Sequence, residues 1–332
     1  MMNSRPLCRI GPPLAMPEPR HPNGGTRVSC GVAERYLIAV ATYLRPAGLQ
    51  RLLDSLEAAA VSTNLDIVVV DNDAAGSARS IAVNHPLAPV YVIEPEPGIS
   101  AARNRALQHF DDRYNGIIFI DDDEWVHPAW LTALTTYAVQ TQADVVVGPV
   151  NSVFLQPAPE WVHRGGFFKG RSHKSGDRLH TAPTNNTLLL RNSWVRAGSP
   201  KFDPLFSTTG GEDTEFFWGL RMAGATILYC ADAMVYEEVP VDRQSLRWMR
   251  RRAIRAGVTD TLVRLKHNDS LLTGLAKGLR SAAYGLIFLG FGLATRRGVQ
   301  ERPYISLFYA YGQFAALFNY QIEEYSRSSD SH

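Results

Sequence analysis

The chain has 332 residues, enough for one large or two medium domains with a sizeable core, and its 45% hydrophobic and 20% charged composition is ordinary for a globular protein. A formal net charge of +2 gives no global reason to expect a nucleic-acid partner, and none is expected. The three cysteines, Cys8, Cys30 and Cys230, lack the number and spacing of a disulfide framework or a zinc site, which fits a reducing, cytoplasmic setting.

Residues 1–34 are rich in Pro and Gly and contain no apolar run long enough for a signal-peptide core, so a disordered segment outside the fold is expected. From Tyr36 to Tyr236, β-branched runs alternate with helical patterns. The strand "YLIAVAT" (36–42) precedes a helix over 45–60, in which Leu49, Leu52, Leu53 and Leu56 share one face. The strands "LDIVVVD" (65–71) and "PVYVIE" (89–94) follow, then a helix over 99–109, the strand "GIIFID" (116–121), a helix over 128–140 and "ADVVVGPV" (143–150). Strands that are apolar throughout and separated by helices predict an α/β fold, a mostly parallel sheet with helices on both faces. Residues 151–183 have no sustained period and read as a long loop. The strand "NNTLLLR" (185–191), the segment 202–225 with its Gly-Gly turn and amphipathic helix, and short strands in 226–240 complete the unit.

In such sheets ligands sit beyond the carboxyl ends of the strands. Polar clusters fall there four times: "TYLRP" after the first strand, "DND" after the second, "EPEPGIS" after the third and "DDDE" after the fourth. On an extended segment alternate side chains share a side, so Asp121 and Asp123 can face one way while Asp122 turns away. Such a D-x-D pair suits Mg²⁺ or Mn²⁺, a hard cation that takes its remaining ligands from water and substrate phosphates. The alternative is an ordinary solvated turn.

The segments "IAVATYLRP", "VVVDND", "PGISAARNRAL", "FIDDDEWVHPAWL", "TNNTLLLR" and "GGEDTEFFWGLRMAG" occur in the order found in family 2 glycosyltransferases, which this chain resembles over about residues 36–255. The likeness extends to bacterial exopolysaccharide glucosyltransferases of the succinoglycan type, through "ARN" and the later "E-x-V-P" segment. It implies a GT-A fold over 35–240, a UDP-sugar donor, a divalent cation, and inversion at the anomeric carbon. Carried over by position, Thr42, Arg45, Asp71, Arg103, Asp121 and Asp122 would bind the nucleotide sugar, with Asp71 on the uracil N3–H and Arg103 near the nucleobase or diphosphate. Asp123 would hold the metal. Asp213 would be the general base, and Glu212 and Gly211 would contact the acceptor. Many relatives have a metal-binding His where this chain has Glu237 and Glu238, so Glu237 either replaces it as a ligand or pairs with the arginines that follow. For Asp71 the structural alternative is a turn-forming Asx, and for Arg103 an ion pair.

The remaining stretch, 241–332, reads as a basic and apolar helical region. Residues 243–302 hold thirteen Lys/Arg against three acids, so with a total of +2 the rest of the chain carries about −8. Arg243, Arg247, Arg250, Arg251 and Arg255 recur at helical spacing, a stripe suited to a polyanion. "SAAYGLIFLGFGLAT" (281–295) is apolar and bracketed by Lys277, Arg280, Arg296 and Arg297. It is short for a span, which favours seating at the inner membrane surface, peripheral or shallowly inserted; the alternative is a helical hairpin buried on the catalytic domain or in a dimer. The expected activity is transfer of a hexose, glucose first, to a lipid-linked or oligosaccharide acceptor in surface-polysaccharide assembly. A nucleotidyltransferase and a non-catalytic sugar-binding module are the alternatives, against which stand the poor phosphate loop "TYLRPAGLQ" and the presence of both D-x-D and "GED".

Overall fold

The computed structural model describes residues 34–59, 64–170, 173–207, 210–268 and 270–318. The disordered segment expected at the N-terminus lies, but for Glu34, outside the described residues. The elements run β1 (Arg35–Thr42), α1 (Pro46–Ala59), β2 (Asn64–Asp71), α2 (Arg79–Asn84), β3 (Val90–Ile93), α3 (Ile99–Leu107), β4 (Gly116–Asp121), β5 (Glu124–Val126), α4 (Trp130–Thr141), β6 (Val145–Val147) and β7 (Val150–Val153). They continue with α5 (Glu160–Gly165), β8 (Thr187–Leu190), α6 (Arg191–Arg196), α7 (Glu212–Met222), β9 (Ile227–Tyr229), β10 (Val235–Glu238), α8 (Leu246–Lys266), α9 (Leu271–Ala294) and α10 (Glu301–Ala316).

The main sheet has the order β3-β2-β1-β4-β8-β6-β9. Strands β3, β2, β1 and β4 are parallel neighbours, β8 runs antiparallel between β4 and β6, and β9 is parallel to β6. Each face is covered, as the uniformly apolar strands require. Leu49, Leu52, Leu53 and Leu56 of α1 pack with Trp130 and Leu134 of α4 on one side, and Ala102 and Ala106 of α3 with Phe216, Phe217 and Leu220 of α7 on the other. A second, three-stranded sheet, β5-β10-β7, lies at the carboxyl end of β4.

Two details depart from the sequence reading. Glu124–Val126, between the predicted strand and the helix over 128–140, is a short strand of its own, because it pairs with Val235–Glu237 far along the chain. The loop predicted over 151–183 contributes its first residues to β7, which also pairs with β10, and then holds the helix α5. Both strands exist through long-range pairing, which no local period announces.

Helix α8 starts at Ser245, whose hydroxyl caps the Trp248 N–H at 3.2 Å. Its contact with α10 is backbone to backbone: a Cβ on Gly257 would sit 2.0 Å from the Tyr309 carbonyl, and one on Gly312 2.0 Å from that of Ile254. Helix α8 also packs on α7. The change of composition near residue 240 is therefore no structural break, and the described residues from Glu34 to Phe318 belong to a single compact unit.

Candidate functional site

Parallel pairing sets Thr42 beside Asp71 and Ala41 beside Asp121, so the carboxyl ends of β1, β2 and β4 form one rim. The four consecutive acids at the end of β4 are each given partners, two of them sharing Arg45. Asp121 accepts from Arg103 Nη2 at 3.1 Å. Asp122 turns inward, accepting from Thr42 Oγ1 at 2.7 Å and from Arg45 Nη1 at 3.2 Å, while the same Arg45 Nη1 reaches Asp123 Oδ2 at 2.7 Å. Glu124 folds back to accept the Asp121 N–H at 3.0 Å. Burial raises the Asp122 carboxyl to about 6 despite Arg45 and Thr42. Burial also raises Glu124 well above the usual carboxylate range, with Asp121 adding to it. Four acids can thus follow a buried strand because two are drawn to arginines, one is enclosed by Thr42 and Arg45, and one is buried on a backbone N–H.

A cleft of about 1360 Å³ opens beyond this rim, and its lining includes Arg45, Arg103, Asp121, Asp123, Gly211, Glu212, Asp213 and Glu237. The candidate residues from the two halves of the sequence therefore meet in one place. Arg103 joins them: its buried guanidinium donates to Asp121 through Nη2 and to Glu212 through Nη1. Arg103, expected near the nucleobase or diphosphate, is in this state held between two carboxylates. Burial, opposed by Arg103 and reinforced by Asp213 and Asp121, raises Glu212 to about 7. Its Oε2 is buried and has no hydrogen-bond partner among the described residues.

Asp213 follows at the first turn of α7, partly exposed to the cleft. The Gly-Gly turn places it there. Gly211 has φ +97°, and a Cβ on it would fall 2.1 Å from Thr259 Cγ2, so the close approach that glycine permits is to α8. Thr259 Oγ1 donates to the Gly210 carbonyl at 3.3 Å. Glu215, in the first turn of α7, ties that helix to the end of α8 through Lys266 at 2.6 Å and His267 at 3.1 Å.

Thr42, Asp71 and Asp122 stand behind the cleft surface. Asp71 is fully buried and accepts from Ala78 N–H at 2.8 Å, Tyr91 Oη at 2.7 Å and Asp73 N–H at 3.1 Å. That is the turn-forming role weighed for it, and the uracil N3–H expected as its partner meets a carboxylate already engaged three times.

For a metal, the available donors are Asp123 and Glu237. Arg243 joins them, at 2.7 Å from Glu237 and 3.9 Å from Asp123, and burial together with the Asp123 charge raises Glu237. Among the described residues no three His, Cys, Asp or Glu side chains are gathered as a ready-made cage. The donor set fits a hard divalent ion that takes one or two carboxylates and completes its shell elsewhere, and Arg45 and Arg243 occupy those oxygens here. Glu237 thus makes the ion pair that was its alternative to ligation.

Several lining residues are not among the candidate site residues, though the sequence marks Arg255 and Lys277 by their charge. Trp248, Arg252, Arg255 and Thr259 form one face of α8 and line the cleft, with Lys277 of α9 and Tyr309 of α10 beyond them. Of the five arginines read as a stripe, Arg243 and Arg255 line the cleft and Arg247, Arg250 and Arg251 do not. Spacing of four, three and four from Trp248 was the available signal for Arg252. His180, from the predicted loop, and Asn185, at the start of the strand read over 185–191, form another wall.

A model of glycosyl transferase family 2 matches residues 37–194. The chain is 37% identical over 251 residues to the succinoglycan biosynthesis protein ExoM of Rhizobium meliloti, covering 74% of this chain and 77% of that one. This chain belongs to glycosyltransferase family 2. Among solved structures, the mannosyltransferase PcManGT of Pyrobaculum calidifontis, in complex with GDP-Man and Mn²⁺, superposes with a TM-score of 0.57 at 19% identity, covering 86% of this chain and 88% of that one. S. aureus TarS 1–349 gives 0.50 at 15% identity over 86% and 92%, and the chain spans 55% of the longer TarS chain. These likenesses show the GT-A fold, and with the family they make the protein a glycosyltransferase.

Proposed function

We propose that this glycosyltransferase moves a hexose, with glucose the first candidate, from a UDP-sugar to a glycan or lipid-linked acceptor during assembly of a surface polysaccharide, with inversion at the anomeric carbon. The observation that carries the reading is that Asp121 and Asp123, at the end of β4, and Asp213, at the start of α7, line the same cleft, with Arg103 bridging Asp121 to Glu212, the residue before Asp213. The relationship to ExoM supports the polysaccharide context, and the family supports a nucleotide-sugar donor.

Asp213 takes the proton of the acceptor hydroxyl as its oxygen forms the bond to the anomeric carbon. The bond from that carbon to the diphosphate breaks, and the nucleoside diphosphate leaves with the electron pair. Attack from the face opposite the leaving group inverts the configuration. Arg103 and Glu212 hold the start of α7 against β4, so the base stays aligned with the donor. Arg45 and Arg243 both reach Asp123 and offer guanidinium donors where a diphosphate would lie. Asp123, with Glu237 as second candidate, would hold Mg²⁺ or Mn²⁺, which supplies charge neutralisation to the diphosphate when bound.

The test is a panel of uridine and guanosine diphosphate sugars offered with Mn²⁺ or Mg²⁺, recording thermal shift, donor hydrolysis and the anomeric configuration of the product. A melting shift and turnover confined to UDP-hexoses, with an inverted product, are expected. Preference for a GDP-sugar, as in the PcManGT complex, would overturn the donor assignment, and a retained configuration would overturn the mechanism.

A further inference from the structure

Helix α9 carries more apolar surface than the protein itself covers. Its inner side is a line of small residues against α10: a Cβ on Gly278 would come within 3.2 Å of Phe314, and one on Gly285 within 2.7 Å of Leu307. The outer side holds Leu272, Leu279, Leu286 and Leu293 in a heptad line, 77%, 63%, 62% and 65% exposed. Ile287, Phe288 and Phe291 are also exposed, further round the helix. The 24-residue helix contains no acid, and no charge falls between Arg280 and its end, where Arg296 and Arg297 follow.

Two occupants could cover this face, a second copy of the chain or a lipid surface. A helix–helix seam is a narrow stripe of a and d positions flanked by charged residues. Here the apolar arc runs from the leucine line through Ile287 to Phe291 and Phe288, more than half of the circumference at about 100° per residue. Nothing charged borders it along the last three turns. Its cations stand on either side of this acid-free stretch, Arg280 one residue after Leu279 within the helix and Arg296 and Arg297 after its end, all exposed, with the Arg297 guanidinium 5.7 Å from the Phe291 ring. A broad apolar face with terminal arginines and no acids matches the boundary of an anionic bilayer. The helix lies along such a surface rather than through it, since no described helix is long and apolar enough to cross a membrane.

We propose that α9 docks the protein onto an anionic lipid surface, with the Leu272–Leu279–Leu286–Leu293 line, Ile287 and Phe291 at the acyl boundary and Arg280, Arg296 and Arg297 at the headgroups. Lys277 and Ser281, on the flank of the same helix, line the catalytic cleft. Docking therefore brings the cleft beside the lipid surface, where an acceptor with an apolar anchor keeps that anchor in the bilayer while its sugar reaches Asp213. This last step rests on the glycosyltransferase mechanism proposed above; the docking does not.

The test is flotation of the full chain with vesicles of phosphatidylcholine alone or with about one-third phosphatidylglycerol, an amount that gives a strongly anionic surface. Leu286→Glu/Ile287→Glu is the variant, Leu155→Glu, at another exposed leucine, is the control, and circular dichroism melts and donor hydrolysis are recorded for each. The wild type and the control should float with anionic vesicles, the double variant should float at least tenfold less, and Arg296→Ala/Arg297→Ala should lose most of the dependence on anionic lipid. All variants should melt and hydrolyse donor like the wild type. Wild-type protein that stays in the soluble fraction with both vesicles overturns the docking, and a wild-type dimer made monomeric by the double variant then assigns the face to a second copy. A chain that floats as expected but hydrolyses no donor leaves the docking standing and counts against the chemistry instead.

Discussion

Glu212 and Asp213 are adjacent acids with different surroundings. Glu212 is buried on Arg103, while Asp213 faces the cleft. Because burial holds Glu212 near 7 in the folded chain against 4.5 ordinarily, its protonation favours the folded state. That contribution is full below about 4.5 and is lost as pH rises through about 7. Glu212→Gln cannot titrate, so the melting temperature of wild type minus variant should fall between pH 5 and pH 8; a difference flat with pH would mean Glu212 is not held protonated by burial. Asp213→Asn should keep donor affinity near wild type and lower the transfer rate by about 10² to 10⁴, the span of general-base catalysis. A near-normal rate would pass the role to another group, and Glu212 is the nearest. The residue types of this site were legible in the sequence, since D-x-D and "GED" stand at a strand end and a helix start. Their partners were not. That Arg103 would lie between Asp121 and Glu212, and that Asp71 would be enclosed by Ala78, Tyr91 and Asp73, depends on packing across elements far apart in the chain.

Helix α8 decides where the turn that leads into Asp213 sits, because it meets that turn at Gly211. Gly211→Ala places a methyl on Thr259 in a backbone conformation that side chains rarely adopt. The loss should be about 1–3 kcal/mol in urea melts, as for other overpacked sites. Thr259→Ala in the same chain removes the two nearest atoms and should recover part of it, giving a coupling of about 0.5–3 kcal/mol in the double-mutant cycle. Strict additivity would place the cost in the backbone conformation alone. At this scale, β1 to β4 and their helices were readable because buried parallel strands and amphipathic helices each carry a local period. Strands β5 and β7 were not, since each is short and exists by pairing with β10. The break drawn near residue 240 followed composition, yet α8 completes the cleft. Arginines that a sequence reader assigns to a solvated or polyanion-binding appendage are a wall of the candidate cleft.

Charge is segregated along the whole chain, and the fold turns that segregation into a cleft with two kinds of wall. Asp121, Asp123, Glu212 and Asp213 come from the acidic remainder, and Arg243, Arg252, Arg255, Arg264 and Lys277 from the basic stretch. Under the proposed reading an anionic donor would meet the carboxylates at the end of β4 and the start of α7, several of them already paired with arginines, and a broader cationic wall from α8 and α9. Trp248 fixes part of the cationic wall, with the guanidinium groups of Arg243 and Arg252 5.8 and 5.1 Å from its ring. Attraction from a wall of this kind acts before contact, so it should appear in substrate capture more than in the chemical step. Raising ionic strength from about 0.01 M to about 1 M shortens the screening length from about 30 Å to about 3 Å. Over that range KM for the nucleotide sugar should rise several-fold while kcat stays within about a factor of two, since a loss of uniform binding leaves the bound state's barrier unchanged. Arg252→Gln should raise KM at low salt and flatten its salt dependence. If KM is indifferent to salt in the wild type, the basic wall does not face the donor, and its arginines serve the packing of α8 or the acceptor alone.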